Sequence, residues 1–514
     1  MTKTDALSSK GLVGINSRRL FVGSCLALIS TSVIFGVMSA MIGDLKTIFA
    51  LSNTEAGWIR GAANWGFAFT IIIFGPLCDA IGMGRLLRFS FVGHILGPLL
   101  MILAQTADNP FWMLFSGALI VALANGTVEA VCNPLVATIF PDQKTQKLNQ
   151  FHMWFPGGIV IGGLLAFLID RLPSDLWNNF FLASWQIKLA LVFVPTFIYG
   201  FIFTGQKFPA TERVQSGVSF LEMFKETFFR PLFIVLFLSI SLTASLELGP
   251  NNWMAEVMKK AMSFAGDNAG ILVLVYGCTL MAILRYYAGP VIHKLSPTGV
   301  LFVSVILAGL GLTALTFAVR PIVIFLSATI FYFGVCYCWP TILGVAAERV
   351  PKGGALALSL LTGWGMLVVG LITVPIMGWI TDLYGHTKLP PQQTISCLVA
   401  GSEKLTQIQA SEQSQNLRNI DKAIALVQEV TTQIEATDRL PKIKTAKALR
   451  EIVRYAPETE MGRQAQALIK PADDYGGIIS FRYVAALSVI LVLIFGTLFI
   501  RDRAQGGYKV EKLK

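Results

Sequence analysis

The sequence predicts an all-α polytopic membrane protein: twelve transmembrane helices in two six-helix bundles, with a helical external insert between helices 11 and 12. Three observations carry that reading. The 514 residues are 54% hydrophobic and only 14% charged, against roughly 25% charged in an ordinary soluble domain, and mean hydropathy is +0.64. Apolar runs of about 20 residues, the length a helix needs to cross roughly 30 Å of hydrocarbon, recur along the whole chain. Those runs fall as six plus six around a charged stretch at 205–229. Together they exclude a soluble enzyme, a disordered chain and a disulfide scaffold.

The runs lie near 19–42, 56–79, 87–105, 110–139, 149–170 and 180–204, then near 230–258, 267–288, 298–318, 321–346, 354–380 and 479–501. The run at 110–139 exceeds what a span needs, so it is expected to tilt or protrude. The first run is too long for a cleaved signal and lacks a small-residue cleavage site. The implied organisation is an N-terminal bundle at 1–204, a connector at 205–229, helices 7–11 at 230–386, the insert at 387–478, and helix 12 with the tail at 479–514.

Lys and Arg set the orientation. With the amino terminus inside, that side holds twenty basic residues in its tails and short loops, among them Arg18, Arg19, Arg85, Arg88, Lys144 and Lys147. The opposite short loops hold five: Lys46, Arg171, Lys259, Lys260 and Arg320. Positive loops stay cytoplasmic, so both termini are expected in the cytoplasm, the membrane is the cell inner (plasma) membrane, and 387–478 lies outside. The net charge of +11 is thereby explained by topology and implies no nucleic-acid partner; the partners expected are the lipid bilayer, a small-molecule substrate and a coupling proton. Seven cysteines stand in no metal-type spacing, so neither a disulfide framework nor a metal site is expected, and no cofactor is expected.

The insert opens at Leu389-Pro390-Pro391 and closes at Gly476-Gly477. Between them Ile420, Ala423, Ile424, Val427 and Val430 recur at helical spacing. After Leu440-Pro441 a second run carries Ala448, Ile452, Val453 and Tyr455. Two or three amphipathic helices packed as a small cap are expected.

Polar residues inside the spans are the functional candidates, because each is costly in hydrocarbon. Asn125, Glu129 and Asn133 stand four apart and share one helical face, which should line a water-filled cavity. His152 and Trp154 follow at the start of the fifth span, where the imidazole can exchange protons near neutrality. In the seventh span Glu247-Leu248-Gly249-Pro250-Asn251-Asn252-Trp253 should break the helix beside a cavity. Two amides and an indole there suit a polyol. Trp339 and Trp364 could close the same cavity. At the cytoplasmic turn after the second span, Asp79 can pair with Arg85 or with a helix end across the bundle, a contact that would hold one conformational state. Gly289-Pro290 with Lys294 repeats the turn in the second half.

Gly75-Pro76-Leu77-Cys78-Asp79 followed by Gly82-Met83-Gly84-Arg85, with six plus six spans, resembles the major facilitator superfamily. Val128-Glu129-Ala130-Val131-Cys132-Asn133-Pro134, Leu148-Asn149, Glu247 with Trp253, Arg285, and Pro340-Thr341 resemble the fucose–proton symporter family. The aspartate of that family's first span falls at Ser39 here, and a fifth-span asparagine at Phe155. The resemblance implies a secondary transporter of a monosaccharide or sugar derivative. Glu129 and His152 would then carry the coupling proton; Asn125, Glu129, Asn133, His152, Trp154, Glu247, Asn251, Asn252 and Trp253 would bind substrate; Asp79 and Arg85 would gate. One chain suffices for a complete pathway, so a functional monomer is expected. A non-transporting sensor on the same fold, a uniporter and an organic-anion transporter are the alternatives. No G-x-x-x-x-G-K-[ST] is present, which argues against ATP drive from this chain, and the lack of any nucleophile–base pair argues against an enzyme.

Overall fold

The computed structural model describes residues 14–49, 53–107, 109–172, 183–258, 269–318, 320–411 and 417–512. Lys259, Lys260, Lys3, Lys10 and Lys514 lie outside the described residues, as do the side chains of Asp44 and Lys46. Among the described residues, eleven helical stretches are long and apolar enough to cross a membrane, and a twelfth, Val273–Tyr286, is shorter. In lipid every backbone polar group must be satisfied within the protein, and helices do this segment by segment.

Local chemistry sets the helix ends. The first span is Ser17–Ile48; the Asn16 side chain accepts from the Arg19 backbone N–H at 3.0 Å, capping one of the donors a helix start leaves free. The fourth span is one helix, Pro110–Ile139, with proline in its first turn, where a missing N–H costs nothing. The fifth span is in two pieces, Lys144–His152 and Trp154–Ile169. The tenth is likewise Pro321–Val335 and Cys338–Arg349.

Two expectations about helix breaks are corrected. The seventh span runs unbroken from Pro231 to Met258 with Pro250 inside it. Gly249 lets Thr373 and Met377 approach so closely that an added Cβ would stand 2.9 and 3.0 Å from their side chains; packing there holds the helix through its proline. The irregular turn falls on the partner instead. The eleventh span is Gly354–Val368, a π-helical turn Val369–Thr373, then Val374–Gly385. The wider turn sets the Thr373 hydroxyl 3.3 Å from the Val368 carbonyl and 2.7 Å from the Ser245 hydroxyl of the seventh span.

The second correction concerns Gly476-Gly477. The pair does not end the insert: one helix of 45 residues, Glu460–Ala504, contains the twelfth span and reaches well beyond the membrane, spanning about 68 Å at 1.5 Å per residue. The glycine serves close packing. A Cβ on Gly476 would stand 2.1 Å from the Thr381 carbonyl oxygen of the eleventh span.

Helices Pro391–Ser411, Leu417–Thr437 and Lys444–Tyr455 pack with the first turns of that long helix around their own core, which includes Leu398, Val427, Val430, Leu449, Ile452 and Ala465. Asp438 takes φ 51° in the turn between the second and third, a left-handed conformation that aspartate tolerates better than most residues. Arg450 then pins this cap to the bundle, 2.7 Å from Asp382 at the end of the eleventh span and 2.6 Å from Asp473.

The two six-helix halves approach more closely toward the face that carries both termini than toward the face that carries the insert. A Cβ on Gly75 would stand 2.2 Å from the Ser359 Cβ, and one on Gly344 2.7 Å from the Thr145 Cα. Nearer the insert face, a Cβ on Gly370 would lie 3.8 Å from Asn64 and one on Gly163 3.9 Å from Val275, ordinary contact. The tighter end is therefore the termini face.

Replacing 392–474 by a short Gly/Ser linker should leave the bundle folded. The ends to be joined already touch: the Lys388 ammonium lies 4.6 Å over the Tyr475 ring, and the cap's core is its own. A monodisperse elution profile, with melting within a few degrees of the full chain, is the expected result; aggregation would show that the cap holds the spans together.

Candidate functional site

Each polar group in the middle of the bundle is held for a reason that starts in the backbone. In the fourth span Glu129 and Asn133, one turn apart, are both buried. The Asn133 Nδ2 donates to Glu129 Oε2 at 2.6 Å. The carboxylate takes the amide's donor, so the amide oxygen faces the other way, 2.9 Å from His152 Nε2. An oxygen there requires the proton on Nε2. Glu129 Oε2 and His152 Nε2 are 3.9 Å apart. Asn125, a turn further along, meets His94 Nε2 at 2.8 Å, and His94 Nδ1 meets the Tyr199 hydroxyl at 3.0 Å.

Arg285, in the eighth span, joins this line to the other half. Its Nε donates to the Cys336 carbonyl at 2.6 Å, one terminal nitrogen to the His152 carbonyl at 3.1 Å, and the other to Glu247 Oε1 at 3.1 Å. The two carbonyls are free because the residues four positions on are Pro156 and Pro340, which have no N–H to close the helical bond. Each proline thus exposes one acceptor, and both acceptors face one guanidinium. The result is a polar line from Glu129 through Asn133 and His152 to Arg285 and Glu247, crossing between the halves. Glu247 Oε2, Trp253 Nε1 and Asn149 Oδ1 are buried without a partner, polar atoms that a bound molecule could satisfy.

The other expected residues fall into place unevenly. Asn251 Oδ1 accepts from the Tyr332 hydroxyl at 3.0 Å. Trp253 and Trp154 are half-buried against the main core, and the Trp154 carbonyl accepts from Ser32 Oγ at 3.1 Å. Trp364 donates to Ser241 at 2.8 Å. Asn252 is not brought into the cluster: it is exposed, and its amide returns to the Leu248 carbonyl at 2.8 Å. Arg285 entered the sequence reading only through its resemblance to an arginine ending the eighth span; the two prolines were the signal of its role. His94 and Tyr199 were missed, although a histidine in the middle of the third span was itself a signal.

The gating pair is also corrected. Asp79 binds not Arg85 but the connector: its carboxylate accepts from the Thr211 N–H at 2.9 Å, the Thr211 hydroxyl at 2.7 Å and Arg213 at 3.1 Å. Gly82, at φ 96°, reverses the chain and leaves Arg85 exposed in the next helix's first turn. There it donates back to the Ile81 carbonyl at 3.1 Å. Arg213 is buried and needs the counter-charge; Arg85, in water, does not.

Two six-helix bundles meeting at a buried polar line define a polytopic membrane transporter. The chain belongs to the major facilitator superfamily, whose sequence model matches residues 20–355. No curated protein matches the sequence significantly. Among solved structures, the E. coli fucose:proton symporter FucP is similar at 16% identity, covering 70% of this chain and 92% of its own, with a TM-score of 0.56. A bacterial homolog of the human lysosomal transporter Spinster, inward-facing and unoccupied, is 14% identical over 99% of this chain and 100% of its own, at 0.58. The human organic anion transporter MFSD10 is 12% identical over 93% and 99%, at 0.54. At these identities the likeness is one of fold.

Arg285→Leu should destabilise the protein by about 3–5 kcal/mol, because it leaves the Glu247 carboxylate buried and unpaired. Arg285→Leu combined with Glu247→Leu should recover the part due to the unpaired carboxylate, leaving the cost of the two carbonyls that lose their donor, and thermal melts in detergent read both. Asp79→Ala should cost several degrees by stranding Arg213, whereas Arg85→Ala should fall within about 0.5 kcal/mol of the parent, as exposed substitutions do. Equal effects would return the pairing to Arg85.

Proposed function

We propose that this chain is a secondary active transporter that moves a small uncharged polar solute, a monosaccharide or sugar derivative, by proton-coupled alternating access. In this reading it sits in the cell inner membrane as a monomer, with both termini cytoplasmic and the insert outside. The observation that carries the reading is the polar line across the halves. Its one buried cation, Arg285, is already balanced by Glu247 and clamped by two carbonyls. An anionic substrate would have to displace Glu247, whereas a polyol needs only donors and acceptors, and the unpartnered Glu247 Oε2, Asn149 Oδ1 and Trp253 Nε1 offer both kinds. The fucose:proton symporter among the similar folds is consistent with this chemistry.

Glu129 takes the proton-coupling role. It is an acid whose carboxyl accepts from the neutral Asn133 amide, with His152 Nε2 3.9 Å away and Arg285 bonded to Glu247 rather than to it. A protonated Glu129 can cross between the two accessible states, and losing the proton to the cytoplasm resets the cycle. His152, joined through Asn133, relays or senses that proton. Asn125, Asn133, Asn251, Trp154 and Trp253 line the solute's path, and Arg285 with Glu247 tells the second half what the first half has bound.

Purified protein in vesicles tests this. A sugar panel in a thermal-shift screen should contain a binder, which at 100 times its dissociation constant adds roughly 2.7 kcal/mol of apparent stability. Glu129→Gln should then abolish accumulation driven by a pH gradient while leaving substrate counterflow within about twofold, because exchange moves no net proton. His152→Ala should shift the pH profile of accumulation without abolishing it. Full accumulation by Glu129→Gln alongside loss in His152→Ala would move the coupling to the histidine. Ligand binding without counterflow in the parent protein would make it a sensor.

A further inference from the structure

Beyond the twelfth span the chain does not trail away. Gly506 and Gly507, at φ 82° and 107°, turn it back along the termini face, and the Gly507 N–H caps the Asp502 carbonyl at 2.8 Å. The Tyr508 hydroxyl then donates to Glu348 Oε2 at 2.7 Å. The other oxygen of the same carboxylate, Oε1, accepts from the Thr145 N–H at 3.0 Å and the Thr145 hydroxyl at 2.7 Å. Thr145 belongs to the first half and Glu348 to the second. One buried carboxylate is therefore held by the tail on one side and by the opposing half on the other.

The tail is itself fixed at several points. Arg349 lies 4.0 Å over the Tyr508 ring, donates to the Lys509 carbonyl at 3.2 Å and pairs with Asp502 at 2.8 Å. The Glu511 N–H donates to the Glu348 carbonyl at 2.8 Å, its carboxylate pairs with Arg230, and Lys512 reaches Asp142 of the first half at 3.5 Å. Burial and the adjacent Glu348 carboxylate push the Tyr508 phenol well above its usual range, so it stays a donor.

We propose that the tail 505–512 is a strap that sets the Glu348 carboxylate toward Thr145 and so holds the two halves closed at the termini face, with Tyr508 and Arg349 as positioning residues. The reason is geometric. A carboxylate with one free oxygen can rotate away from Thr145; with Oε2 occupied by Tyr508, Oε1 has one direction to point. Charge-assisted bonds of this kind are about twice as strong as neutral ones. Nearly all the strap's contacts lie within the second half, so the halves can part at Thr145 while the strap stays in place, ready to reseat the gate.

Spin labels at Arg88→Cys and Lys294→Cys, exposed sites on the termini face of opposite halves, read the gate in the full chain without any substrate. The seven native cysteines are buried and should stay unlabelled. In lipid nanodiscs, Tyr508→Phe should raise the population with the long interlabel distance severalfold, and removal of 505–514 should raise it further. In a Glu348→Ala background, Tyr508→Phe should add nothing, because its acceptor is gone. Tyr483→Phe, on the other face, should leave the distribution unchanged. An unaltered distribution in Tyr508→Phe, or the same increment with and without Glu348, would overturn the proposal; should the truncated chain not fold, Tyr508→Phe alone decides.

Discussion

A guanidinium in the middle of a membrane protein constrains everything around it. Arg285 is always charged, lies buried among apolar spans, and must find acceptors there or cost several kcal/mol. The chain supplies a carboxylate from the seventh span and two carbonyls, one from each half. Those carbonyls exist as acceptors only because Pro156 and Pro340 leave helical bonds unmade. A local backbone defect in the fifth span and another in the tenth are thus the means by which one side chain ties the halves together. The same arrangement places His152, and through it Asn133 and Glu129, at the junction.

The junction is well placed to report motion. Toward the termini face, glycines bring the halves to within backbone contact, as at Gly75 and Gly344, and Glu348 and Lys144 bond across. Nearer the insert face the contacts between the halves at Gly370 and Gly163 are of ordinary van der Waals length, while the π-turn of the eleventh span bonds to Ser245 within the second half. Interior packing is dense and does not deform continuously. The long twelfth helix joins the cap to the second half, and Arg450 and the Gly476 contact fix the cap's base to the eleventh span.

How much of this was legible depended on the range of the interaction. The spans were legible because hydrocarbon imposes length and composition on each segment separately. The polar stripe of Asn125, Glu129 and Asn133 was legible because helical period puts the three on one face whatever they touch. The cap's buried residues, Ile420 through Val430, were legible for the same reason. Helix breaks were not. Gly249-Pro250 and Gly476-Gly477 are breakers by local preference, yet both lie inside continuous helices, because a neighbouring helix packs tightly against each glycine.

The sequence by itself determined a membrane-embedded helical chain of six plus six spans, the residues that could not face lipid, and a cap with its own core. These follow from properties each segment has alone: hydropathy, period and the price of an ionisable group in hydrocarbon. Only the tertiary structure decided which of those residues meet. It gave Asp79 to Arg213 rather than Arg85, paired His94 with Asn125, left Asn252 in the open, and made Arg285 the link between the halves. Such pairings are settled by burial after packing. A cation left in water at the surface needs no partner, while one enclosed between helices takes the nearest acceptor the backbone leaves free, and no local pattern shows which of the two a given arginine will be.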